Sequence, residues 1–236
     1  MEVLIMKNTF TLANGVILPV IGFGPGGMGY TPNVVRHPSR ALYKRVWRKF
    51  VTTPKMRHDY VHAIAAGIQA GFRLIDYSAA YGDGSAIAKA IQLSGVPRSE
   101  LALTGRVTNK AQFQGKEAVE REVHDILTHY GTDYLDLLMF HWPVTDHFQA
   151  TWEVLCSLYE RGVARAIGVA NCHPHHIEAL EQVGIRPMVN QVEVHPLFTQ
   201  KPLLAYCKER GILVEAYTPI ARFDDRLMRL PALHAI

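Results

Sequence analysis

Short apolar runs alternate with amphipathic stretches at a steady beat along the 236 residues of the chain. The runs at 20–24, 73–78, 101–107, 135–142, 164–171, 189–194 and 213–220 have the length of strands. Several are apolar on both faces, as in Leu135-Asp-Leu-Leu-Met-Phe140, which suits a sheet covered by helices. Helical periodicity fills the intervals near 60–70, 85–94, 115–130, 147–161, 174–183 and 200–210. Gly71, Gly131, Gly162 and Gly211 fall near helix ends, where a left-handed residue is least strained. Ahead of this series, residues 10–19 read as a hairpin, because Asn14-Gly15 supplies the positive-φ pair that a tight turn needs.

Strands alternating with helices predict an α/β fold with a parallel sheet. An open doubly wound sheet and a barrel both meet that description. No Gly-x-Gly-x-x-Gly opens a helix in a first βαβ unit, and Gly22-Phe-Gly24-Pro-Gly26 has other spacing. Polar residues stand instead at the C-terminal ends of successive strands: Asp76, Arg106, His141, Asn171 and Gln191. That distribution belongs to a (β/α)8 TIM barrel, whose chemistry collects at one mouth. The expectation is a single barrel domain over 1–236, with an N-terminal β-hairpin. Seven strands are countable rather than eight, which leaves two unpaired edges. Either the chain is an incomplete barrel, the favoured expectation, or the gap is closed by other means.

Composition narrows the setting. Hydrophobic residues make up 48% of the chain, enough for a sizeable core, and no run reaches the length of a membrane span. Residues 1–7 are too short and carry an acid too early for a signal peptide. Three scattered cysteines imply no disulfide framework, so a reducing, cytoplasmic location is expected. The net charge of +4 is unevenly spread: 27–58 holds eight basic residues and no acidic one, while the remainder carries −4. Within that basic insertion, 39–50 reads as a helix capped by Ser39. Two readings stand equal: a lid whose cations favour an anionic substrate or cofactor phosphates, and a solvated helix on the rim. A single basic helix without a recognised module does not make nucleic acid the expected partner.

The strings Ile75-Asp76-Tyr77-Ser78-Ala79-Ala80-Tyr81-Gly82, Phe140-His141-Trp142-Pro143, Ile167-Gly168-Val169-Ala170-Asn171, Asn190-Gln191-Val-Glu-Val-His195-Pro196 and Ala216-Tyr217-Thr218-Pro219 occur in this order, each at a strand end. Together they resemble the aldo-keto reductase family, over most of 8–26 and 60–222, and the short connection from His141 to Trp152 resembles its bacterial branches. The resemblance implies a (β/α)8 enzyme that passes hydride between a nicotinamide cofactor and a carbonyl. It assigns the general acid to Tyr81, with His141 and Asp76 around it, and the substrate pocket's border to Trp142. The chemistry explains the cast: hydride addition leaves negative charge on the carbonyl oxygen, which must be hydrogen-bonded and then protonated. A free phenol is a sluggish donor until a nearby cation stabilises the phenolate.

Two positions depart from the family pattern. The lysine expected beside the tyrosine is Arg106, which keeps the charge but is planar, bulkier and never a proton carrier. On the cofactor side the resemblance assigns Gly24, Asp76, Asn171, Gln191 and Tyr217, the last as the aromatic stacked on the nicotinamide. A serine that would complete the carboxamide site is Ala170. NADPH is the expected cofactor, with NADH not excluded, because the residues that grip the adenosine phosphate in relatives follow the seventh strand. Cys172, His173, His175 and His176 have the look of metal ligands, but Pro174 marks them as a helix start, and the family needs no metal. The leading expectation is an NAD(P)H-dependent reductase of small aldehydes or ketones. The alternative is a catalytically impaired relative that binds cofactor and serves a regulatory role.

Overall fold

The computed structural model describes residues 8–26, 54–81 and 84–234. The expected helix at 39–50 and most of the basic insertion lie outside the described residues. An antiparallel hairpin pairs β1 (Thr9–Thr11) with β2 (Ile17–Pro19). Its turn differs from the two-residue form expected from Asn14-Gly15. Leu12 and Val16 still pair, Gly15 N–H donates to the Leu12 carbonyl at 2.9 Å, and Gly15 alone of the two takes positive φ, at 87°. This is a three-residue loop ending in a left-handed glycine, and Asn14 is released to donate to the Arg165 carbonyl across the barrel floor.

The seven expected strands all form. They are β3 (Gly22–Phe23), β4 (Leu74–Asp76), β5 (Ala102–Val107), β6 (Leu137–Phe140), β7 (Ile167–Ala170), β8 (Val189–Glu193) and β9 (Leu213–Tyr217). Every neighbouring pair is parallel and the spatial order is the chain order, as right-handed βα crossovers around a barrel require. The sheet curls as part of a TIM barrel without β3 pairing to β9. One side chain spans the gap: a Cβ placed on Gly22 would lie 3.8 Å from Glu215 Oε1. All seven strands are shorter than their apolar runs, and for two of them the backbone says why. Thr218, with φ 54°, cannot continue β9, and Asn171, with φ 60°, ends β7.

Helices cover the outside of the sheet: α1 (Pro54–Gln69), α2 (Ser85–Ser94), α3 (Asn109–Gln114), α4 (Lys116–Tyr130), α5 (Phe148–Glu160), α6 (Pro174–Glu181) and α7 (Lys201–Glu209). The turns α8 (Asp225–Met228) and α9 (Pro231–His234) follow β9. No helix among the described residues is long and apolar enough to cross a membrane. Ahead of the expected helix at 115–130 stands a short helix that was not expected, α3, which Thr108 caps by accepting from Ala111 N–H. Gly115, at φ 95°, breaks α3 from α4, and left-handed Gly131 closes α4 by donating to the Leu127 and Thr128 carbonyls.

All residues of β5, β6 and β7 are buried. At the N-terminal floor of the barrel, Asp136 accepts from Leu103 N–H and pairs with Arg98 and Arg165, whose guanidinium groups both lie 4.0 Å from the Tyr134 ring centroid. Inside, Gly168 permits close strand approach: a Cβ there would stand 2.7 Å from the Val189 carbonyl oxygen, which the sheet holds in place. Gly168→Ala is therefore expected to lower stability by about 1–3 kcal/mol in urea unfolding. A loss below about half a kcal/mol would mean the two strands separate more freely than their packing implies.

Candidate active site

Asp76, Arg106, His141 and Asn171 stand at or just past C-terminal strand ends, while Gln191, expected there too, lies in the middle of β8 and reaches Asp76 and Arg106 from inside the barrel. Arg106 leaves β5 toward the barrel interior with only 3% of its surface exposed. One guanidinium nitrogen pairs with Asp76 Oδ2 and another donates to Gln191 Oε1 at 2.6 Å. Gln191, itself 1% exposed, donates back to Asp76 Oδ2 at 3.4 Å, so β4, β5 and β8 are tied through a triangle of side chains. A charge so deep is tolerable only because both partners are polar and well placed.

Tyr81 reaches the cluster by a different route. After β4, a single 3-10 turn (Ala79–Tyr81) folds the chain back, with Tyr81 N–H donating to the Ser78 carbonyl. The Tyr81 ring then stands 5.7 Å from Arg106 Cζ and meets the His141 ring edge-on at 5.9 Å. Tyr77 flanks it on the inner side at 5.7 Å, and beyond Tyr77 lies Tyr130, whose burial pushes its phenol well up. His141 holds its own place through its backbone: its N–H donates to the Val107 carbonyl and its carbonyl accepts from Asn171 Nδ2 at 2.9 Å.

Asn171 and Tyr217 complete the rim. Asn171 takes a left-handed conformation, which asparagine tolerates better than most residues, and its Oδ1 accepts from Tyr217 Oη at 2.9 Å. Gly24 lies beside them at the end of β3, where a Cβ would be 3.9 Å from the Asp76 carbonyl oxygen. Trp142 is 47% exposed, and its carbonyl accepts from Gln112 of α3. The same short helix carries exposed Phe113, which packs edge-on to His147 at 5.2 Å. Gln112 thus ties α3 to the Trp142 backbone, a link the sequence did not reveal. Glu122 fixes α3 in position, accepting from Thr108 N–H at 2.6 Å and from its hydroxyl at 2.8 Å.

Burial and charge set the protonation states. His141 is pushed down to about 4, first by burial and then by the charge of Arg106, so its imidazole is neutral near pH 7. Burial works against the Arg106 charge, but Asp76, Tyr81 and Glu215 outweigh it and hold the guanidinium above the ordinary arginine value. Glu215, inside β9 and absent from the expected site, is pushed up to about 7 by burial and by Asp76. A carboxylate two residues before Tyr217 in an otherwise apolar strand was the available signal. Glu215 Oε2 and Asp76 Oδ1 are buried with no hydrogen-bond partner among the described residues.

The histidine cluster has a structural explanation. His173 and His176 form a reciprocal cap at the start of α6, with His176 Nδ1 accepting from His173 N–H. The His176 Nε2 faces His175 Nε2 at 3.1 Å. With Nδ1 already an acceptor, Nε2 carries the proton of a neutral ring and is not a free metal ligand. Among the described residues no group of three or more metal-binding side chains converges.

A flat ring bearing a carboxamide fits part of this rim. Asn171 and Tyr217 are half-buried and hold one another through a single neutral hydrogen bond, which a ligand amide can exchange at little net cost. Ala170 adds no donor. Gln191 is committed to Arg106 and Asp76, so it is withheld from such a ligand.

Comparison with known proteins shows the family. Residues 47–223 match the model of the aldo/keto reductase family. The chain is 37% identical over 216 residues to glyoxal reductase of Bacillus subtilis (strain 168), covering 91% of this chain and 68% of that protein. It is similar in fold to the aldo/keto reductase of Brucella melitensis, with a TM-score of 0.78 and 29% identity over 97% of this chain and 77% of that one. It is also similar to a Bombyx mori aldo-keto reductase in complex with NADP, with a TM-score of 0.72 and 28% identity over 89% and 66% of the two chains.

Two measurements check the electrostatics. The His141 imidazole is expected to titrate in NMR near pH 4 instead of 6.5. Above pH 6.5 the ring is neutral whether folded or not; between 6.5 and 4 the unfolded chain binds a proton that the folded chain refuses. Stability from this group therefore falls as pH falls through that window, and His141→Asn removes the effect. Separately, Asp76→Ala strands the Arg106 charge and is expected to cost about 3–5 kcal/mol in chemical unfolding.

Proposed function

The chain belongs to the aldo/keto reductase family, and from that premise we propose that it reduces a small aldehyde or ketone to an alcohol, with Tyr81 as the proton donor and NADPH as the preferred cofactor. The observation that carries the reading is the meeting of Tyr81, neutral His141 and the Asp76–Arg106 pair at one barrel mouth. The similarity to a glyoxal reductase supports a compact carbonyl substrate, and the similarity to a reductase crystallised with NADP supports a nicotinamide cofactor. Asn171 and Tyr217 would hold the nicotinamide; once bound, the cofactor supplies a hydride to the carbonyl carbon.

The chain's own groups do the rest. As the carbon gains hydride, its oxygen gains negative charge and takes the proton from Tyr81 Oη. His141, being neutral, can donate one N–H to that oxygen and orient it without leaving a second cation in the site. The phenolate left on Tyr81 faces Arg106, whose fixed charge stabilises it. Because a guanidinium does not give up its proton, Arg106 serves as an electrostatic partner and the phenolate is reprotonated by another route. Trp142, 47% exposed just past the His141 strand end, is the aromatic we assign to the border of the substrate pocket.

One observation favours a second reading, a cofactor binder with impaired catalysis: Arg106 holds Gln191 away from any ligand. Cofactor titration followed by fluorescence, then NADPH consumption with glyoxal and methylglyoxal, separates the two. Tyr81→Phe is expected to lower kcat/KM by roughly a hundredfold to ten-thousandfold while leaving the cofactor Kd unchanged. Equal rates for wild type and Tyr81→Phe end the catalytic assignment. Arg106→Lys releases Gln191 and is expected to tighten cofactor binding by about twofold to tenfold, the worth of one neutral hydrogen bond.

A further inference from the structure

Glu215 has no part in the reaction described above, yet its surroundings are those of the reacting cluster. It is the register partner of Gln191 across β8 and β9, so both side chains leave the sheet on the same face. Gln191 bonds Arg106 and Asp76, which identifies that face as the barrel interior. The carboxyl reaches across the open seam toward Gly22, and its Oε2 is buried without a partner among the described residues. The cluster thus contains two carboxyl groups and one guanidinium. Full ionisation would leave one net negative charge buried, which is costly. Asp76 is paired directly with Arg106 and Glu215 is not, so the spare proton falls to Glu215.

We propose that Glu215 shares the Arg106 guanidinium with Asp76 and Tyr81, so that a proton held on Glu215 leaves positive charge available to the Tyr81 phenolate and its loss withdraws that charge. Glu215 is a positioning residue in this scheme, acting through Arg106 and never touching substrate; its proton exchanges with solvent. The charged and titratable groups facing the cluster are Asp76 from β4, Tyr77 and Tyr81 from the segment after it, Arg106 from β5, Tyr130 from α4, His141 after β6 and Tyr217 from β9; β3, β7 and β8 contribute uncharged Gly22, Asn171 and Gln191. His141 loses its proton well below neutrality and the Tyr130 and Tyr217 phenols are pushed up, whereas Glu215 is poised to change charge about pH 7. The proposal rests on the reductase reading for its consequence, but the coupling itself is a property of the free protein.

Two readouts keep the claims separate. In protein labelled at the tyrosine ring carbon bearing the hydroxyl, with the Tyr81 signal identified by its loss in Tyr81→Phe, that signal is expected to shift with a midpoint about pH 7. Glu215→Gln is expected to abolish the shift, and Glu215→Asp, with its shorter arm, to move the midpoint. In turnover, kcat/KM is expected to fall about tenfold from pH 6 to pH 8 in the wild type and by less than roughly twofold in Glu215→Gln. A wild-type Tyr81 signal that stays flat through neutrality overturns the proposal without any variant, as does an inflection that survives in Glu215→Gln. An inflection that Glu215→Gln removes, in a protein with no turnover at any pH, supports the coupling and defeats only the reductase reading.

Discussion

A guanidinium placed inside a ring of parallel strands has to be answered by its neighbours, and Arg106 organises the site for that reason. Away from water its charge needs an opposite charge and further hydrogen-bond acceptors, or the cost runs to several kcal/mol. Asp76 supplies the charge and Gln191 the second acceptor, which links β4, β5 and β8 at the barrel mouth. The same charge helps keep His141 neutral and stands beside the Tyr81 ring. A lysine ammonium is a compact point charge; the broader arginine fork spans two partners at once and in doing so occupies a carboxamide that would otherwise be open to ligands.

The two ends of the barrel treat buried charge differently. At the floor, Asp136 has both carboxylate oxygens engaged by arginines that also sandwich Tyr134, and this arrangement serves stability. At the mouth, Asp76 and Glu215 each keep a carboxyl oxygen buried and unpartnered. Left-handed Asn171 and Thr218 stand at the ends of β7 and β9, so the mouth also holds backbone strain. Satisfied polar groups fix a fold, and unsatisfied ones remain able to change protonation or accept a ligand.

Much of this was legible in one dimension. Seven apolar runs separated by helical intervals became seven strands in chain order, because a strand covered on both sides is mostly apolar. Asp76, Arg106, His141 and Asn171 were visible as residues at or just past strand ends before any contact was known, whereas Gln191, expected there too, lies in the middle of β8. The hairpin was visible as well, although its turn used Gly15 alone. The short helix α3 lies between the expected strand at 101–107 and the expected helix at 115–130 and was not anticipated. Glu215 escaped notice because it sits in mid-strand, where a lone carboxylate reads as a solvent-facing residue until the sheet is curled.

Local chemistry along the chain determined the elements, their parallel order and the identity of the residues at the strand ends, since periodicity and turn preferences act over a few residues. Only the tertiary structure decided which of those residues share a charge. Arg106 and Gln191 are 85 positions apart, and Asp76 and Gln191 are 115 apart. Electrostatic coupling depends on distance through a low-dielectric interior, and no spacing along the chain records that distance.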